Sequence, residues 1–171
     1  MKKITKILAL VLMLALTVTL FAACGGEKTD ADGDSGDAKV KGETQTWGNV
    51  TLFVPEEYTL NGGNVIDPED PDVLTLNKGD SFRDYIMLSA NFTEDNATSS
   101  IDTTRSLNDG AEDIEIAAGA NTWKGVAYNA SGVDCISVYA NIGEGYVVVS
   151  SAGLTKDDAV LSAVLESVQV K

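Results

Sequence analysis

The chain has 171 residues, with 26 Asp or Glu against 12 Lys or Arg, and a formal charge of −14 at pH 7. A surface this negative repels phosphate backbones and anionic lipid head groups, so nucleic-acid binding is excluded as an expectation, while cationic partners or a divalent metal remain electrostatically allowed. There is no histidine, which removes the usual general base near neutral pH and the commonest zinc ligand.

The first six residues carry Lys2, Lys3 and Lys6, and Ile7 to Ala23 is an uncharged, mostly apolar run. This is the pattern of an export signal peptide over residues 1–23. Its length sits at the short edge of the roughly 17–25 residues needed to cross a bilayer, so the end of the run decides its fate. There, Leu20-Phe21-Ala22-Ala23-Cys24-Gly25-Gly26 places two small residues before a cysteine. The segment resembles the lipobox of bacterial lipoproteins, with Phe21 standing where that family usually has Leu, Val or Ile. The resemblance implies cleavage before Cys24 and palmitate-type lipidation of Cys24. It also implies attachment to the extracytoplasmic face of the cell membrane, each buried methylene contributing about 0.8 kcal/mol to the anchor. An ordinary Ala-x-Ala cleavage site and an uncleaved anchor are the other readings of the same run. Loss of the three leader lysines would make the remaining chain more negative by three.

Residues 24–45 form the lipidated cysteine and an acidic linker, rich in Gly, Asp, Lys, Ala and Thr and almost without large apolar side chains. Nothing in them offsets the entropy of ordering, and as a coil the segment spans roughly 25 Å, or about 70 Å at full stretch. Gly33-Asp34-Ser35-Gly36 matches the tetrapeptide around the nucleophile of trypsin-like proteases, but it lacks both a histidine and a rigid setting. Residues 46–171 are predicted to be a single domain, long enough to bury roughly two-thirds of its unfolded surface.

Within that domain the pattern predicts a strand over Trp47–Val54 that ends at Pro55, which has no ladder hydrogen bond to donate. Asn61-Gly62-Gly63 is a turn signal. A short strand around Val65-Ile66, an acidic Pro-rich loop, and strands at Val73–Leu76 and Tyr85–Phe92 follow. Between Ala97 and Leu107, Ile101, Thr104 and Leu107 share one helical face and predict a short helix. Further strands are expected at Ile114–Ala117, Thr122–Asn129, Val133–Ile142 and Gly145–Ser151, with Gly143-Glu144-Gly145 as a tight connection. Tyr146-Val147-Val148-Val149 is apolar at consecutive positions, the mark of a strand covered on both faces. At the C-terminus, Thr155 is the expected helix cap, with acids in the first turn. Val160, Leu161, Val164, Leu165 and Val168 then form an apolar stripe that covers one face of a sheet.

The layout resembles the PsbP-like domains, on four features. These are the strand ending Val54-Pro55-Glu56-Glu57-Tyr58, the central helix, the strand Trp123-Lys124-Gly125-Val126-Ala127-Tyr128 with its long hairpin, and the closing helix ending Leu165-Glu166-Ser167-Val168. The resemblance implies an α+β fold in which an antiparallel β-sheet is flanked by helices, an α/β/α sandwich. It also implies a non-catalytic, partner-binding or accessory role, with no catalytic residues to carry over.

Several residue groups are candidate sites. Asp67, Glu69, Asp70 and Asp72 place four carboxylates in one short loop, a composition that suits calcium, although the loop lacks the glycine and terminal glutamate of an EF-hand. Asp109-Gly110-Ala111-Glu112-Asp113 is similar. Cys135, without a local Lys or Arg, is expected to be a buried, inert thiol. Trp47, Trp123, Tyr58, Tyr85, Tyr128, Tyr139 and Tyr146 are numerous enough to line an apolar pocket or a carbohydrate platform, and equally to fill a core. Asn-x-Ser/Thr triplets at Asn49, Asn91, Asn96 and Asn129 are read as chance matches. Glu56-Glu57 cannot flank one glycosidic bond if both lie on one strand. The resulting expectation is a lipid-anchored, non-enzymatic domain without a cofactor that binds an unidentified protein or cell-envelope partner. A small-molecule or divalent-cation binding lipoprotein is the alternative, and an envelope hydrolase the third reading.

Overall fold

The computed structural model describes residues 40–63, 67, 69–80 and 83–171. The leader, Cys24, the linker up to residue 39, the Gly33–Gly36 tetrapeptide and the expected strand at Val65-Ile66 lie outside the described residues.

Among the described residues, ten strands and two helices follow in the order β1 (Gly42–Trp47), β2 (Val50–Pro55), β3 (Tyr58–Gly62), β4 (Val73–Lys78), β5 (Tyr85–Phe92), α1 (Glu94–Leu107), β6 (Glu112–Ala118), β7 (Asn121–Ala130), β8 (Val133–Ile142), β9 (Gly145–Ala152), α2 (Ala159–Ser167) and β10 (Gln169–Val170). They build a seven-stranded sheet, β3-β4-β5-β9-β8-β7-β6, and a three-stranded sheet, β1-β2-β10. All the pairings are antiparallel. The fold is therefore mixed α+β and mainly β.

The main core lies between the two sheets. Val50, Leu52 and Val54 of β2 meet Leu74, Leu76, Ile86, Leu88, Ile136, Val138 and Val149 of the large sheet, with Trp123 also in the cluster. Helix α2 completes this layer, packing on β2 and β6 with Leu161, Val164 and Leu165 buried. The opposite face of the large sheet is covered by α1, which packs on β7, β8 and β9. Val147 and Val149 face the core and Val148 faces the other way, and all three are buried, as the consecutive apolar run requires. The two helices differ in their hold. Three buried Leu or Val side chains give α2 roughly 5–9 kcal/mol of apolar burial, against roughly 2–4 for Ala97 and Ile101 of α1.

Four expectations need correction. The strand expected over Trp47–Val54 is a hairpin: Gly48, at φ 50°, turns the chain, and Trp47 pairs with Val50. The linker expected to run to residue 45 gives way to β1 at Gly42, a polar strand held by its backbone ladder to β2 rather than by side-chain burial. Helix α1 begins at Glu94 behind Thr93, whose hydroxyl accepts from Asn96 N. Its inward face is Ala97 and Ile101, while Leu107 is 77% exposed. Finally, α2 is capped by Asp158, whose carboxylate accepts from Val160 N at 2.8 Å. An aspartate directly before the apolar stripe both accepts this bond and complements the helix dipole. Thr155 instead lies one turn earlier, its carbonyl accepting from Asp158 N.

Candidate functional site

The antiparallel register brings together residues that are far apart in sequence. Lys124 of β7 pairs with both Glu115 of β6 and Tyr139 of β8, so these three side chains share one face of the sheet. Helix α1 crosses the same face and adds Thr98, Ile101, Asp102 and Arg105. Between them lies a cleft of about 320 Å³, also lined by Asp113.

Its charges are arranged in pairs. Arg105 donates from Nε and Nη2 to Asp113 Oδ1 at 3.2 and 2.7 Å and from Nη1 to Asp102. Bonding to Asp113 and then to Asp102 pushes the guanidinium pKa further up. Lys124 Nζ lies 3.7 Å from Glu115 Oε1, too far for a good hydrogen bond, and its ammonium is therefore the more available cation. Exposed pairs of this kind contribute little to stability. Tyr139 also stands against Tyr146, with ring centroids 6.2 Å apart. The cleft presents two cations, three carboxylates and a phenol ring to a polar ligand or partner.

A second cleft of about 440 Å³ opens between β1 and the start of β3, lined by Lys41, Glu43, Gln45, Val54, Glu56 and Tyr58. Away from this cleft, Trp47 of β1 reaches β3 of the other sheet. The indole lies against Gly62, where an added Cβ would fall 1.7 Å from a ring atom, and its Nε1 donates to Asp70 O at 3.0 Å.

The residues singled out from the sequence are dispersed. The loop carboxylates serve their own turns: Asp67 accepts from Glu69 N, Asp70 from Asp72 N, and Asp72 from the side chains of Asn49 and Asn91. Among the described residues no three His, Cys, Asp or Glu side chains gather as a metal site. Of the second acidic run, Asp113 goes to Arg105. Glu56 and Glu57 occupy the turn between β2 and β3, where Glu57 pairs with Lys78 and is held below the usual carboxylate range by it.

Cys135 is buried, and desolvation pushes its thiol pKa up. It shares a cross-strand row with Tyr128, Ala152 and Tyr85, and burial likewise raises both phenols. Trp123 and Tyr58 belong to the core. The aromatic residues thus divide between core, sheet edge and cleft rather than forming one platform. Arg105 and Lys124 escaped the sequence reading, and Tyr139 entered it only as one of seven aromatic residues, because two strand registers and the crossing of α1 unite the three. Only the Asp102–Arg105 spacing of three on a helix was a readable signal.

The chain matches no known family model and no curated protein. Among solved structures it is similar to a crystal structure from Bacteroides thetaiotaomicron VPI-5482, with a TM-score of 0.42 and 13% identity over 78% of this chain. It spans about half, 49%, of that chain's length.

Proposed function

We propose that the chain is a lipid-anchored extracytoplasmic protein whose folded domain binds a protein or cell-envelope partner without catalysing a reaction. The observation that carries the address is the run Leu20 to Gly26, with Cys24 as the lipidated residue. Binding is favoured by the cleft beside α1, where the Lys124 ammonium, only loosely paired with Glu115, stands beside the half-buried Tyr139. We also propose that the architecture is a PsbP-like α/β/α sandwich. Support for this comes from the position of α1 and α2 on opposite faces of the large sheet and from the phrases around Pro55 and Trp123.

The test is co-purification from detergent-solubilised envelopes with the full chain as bait, comparing the natural protein with Lys124→Glu. A partner retained by the natural chain and lost in the variant, at equal yield and melting temperature, is the expected result. An identical set of co-purifying proteins would remove the cleft from the reading.

A further inference from the structure

Helix α1 packs on β7, β8 and β9, but few of its own side chains are buried there. Only Ala97 and Ile101 of its fourteen residues are buried. Its hydroxyls turn back on the helix itself, Thr98 to Glu94 O, Thr103 to Ser99 O and Thr104 to Ser100 O. Such bonds satisfy the side chains locally and make no contact with the sheet. One ion pair, Arg105 to Asp113, ties the helix to β6.

Both ends carry hinge geometry. Before the helix, Asn91 adopts φ 60°, and the β5–β9 register shifts between Ser89 and Phe92. After it, Gly110 adopts φ 82° with open space around its α-carbon, a conformation that glycine takes without strain. On the sheet face below, Val126 and Val148 are buried, and Ser137 is bonded to Ser150 at 3.1 Å. These two valines stand outside the main core cluster, as do Ala97 and Ile101.

We infer that α1 is a lid. It swings out as a unit between Asn91 and Gly110, with Arg105 as its latch, releasing the Phe92–Tyr146 pair at the end of β5, and uncovers Val126, Val148 and the Ser137–Ser150 pair while the rest of the sheet stays folded. Segments with few buried apolar contacts open locally before the whole domain does. The inference does not depend on the proposed partner or on the lipid anchor, although α1 also forms one wall of the cleft.

Hydrogen exchange on the full chain, natural and Arg105→Gln, tests it together with thiol labelling of a Val148→Cys variant. Labelling is read peptide by peptide to separate that site from Cys135. Amides of Glu94–Leu107 should share one rate about ten-fold or more above those of α2. Arg105→Gln should raise this rate and the labelling rate by the same factor, about two- to five-fold, as expected for an exposed pair. Exchange in α1 no faster than in β8 would overturn the lid. So would faster α1 exchange without faster labelling, which is fraying rather than opening. The exchange measurement needs no substitution at position 148, so a misfolded labelling variant leaves the test standing.

Discussion

Ser167, at the end of α2, serves two backbone groups at once. Its hydroxyl accepts from Phe53 N and donates to Val164 O, both at 2.7 Å. Strand β10 pairs with β2 only at Val50 and Thr51, so Phe53 N needs this side chain, and Val164 O is one of the carbonyls a helix end leaves unpaired. Ser167→Ala is expected to cost about 1–3 kcal/mol in urea unfolding, the penalty for orphaning a part-buried donor. Ser151 is the contrasting case. Its hydroxyl is buried in the core with no hydrogen-bond partner among the described residues, and Ser151→Ala should leave stability unchanged or raise it by about 1 kcal/mol. A large loss on Ser151→Ala would mean that the hydroxyl is bonded after all. Neither role is written in the sequence, where both serines read as ordinary polar positions.

At the scale of elements, legibility followed the amount of burial. Strands β5, β8 and β9 and helix α2 bury regular apolar patterns, and their sequences showed them nearly to their ends. Strand β1, reading Gly-Glu-Thr-Gln-Thr-Trp, has no such pattern because it lies at a sheet edge, mostly exposed, and is held by backbone pairing to β2. Strand β3 was hidden for a different reason. Its Asn61 and Gly62 look like a turn, yet Gly62 is required in the strand so that the Trp47 indole can lie on it. The row Tyr85–Ala152–Cys135–Tyr128 also gives a pH prediction. Burial raises the thiol from 9.0 and the phenols from 10.0, so the folded state keeps these protons at pH values where the unfolded chain gives them up. The stabilisation is complete below the ordinary thiol range and is lost as pH rises, from about 9 upward. Melting temperature should stay level from about pH 7 to 8 and then decline, with the decline starting later in Cys135→Ala. A level melting curve up to about pH 11 would contradict this burial.

For the molecule as a whole, sequence and structure supply different parts of the reading. Apolar periodicity was enough to anticipate most of the strands and the closing helix, while the antiparallel sheet flanked by helices was what the resemblance to PsbP-like domains implied. The cleft beside α1 was not legible, because Asp102, Asp113, Lys124 and Tyr139 converge only through the order β8-β7-β6 and the crossing of α1. The proposed address, conversely, rests on Leu20 to Gly26 and owes nothing to the folded domain. The most direct measurement is mass spectrometry of the N-terminal peptide of protein extracted from membranes. The expected result is a peptide beginning at Cys24 and carrying acyl chains, lost in Cys24→Ala. A peptide that retains Met1, or one that begins at a bare, unmodified residue, would contradict the proposed anchor and the surface role drawn from it.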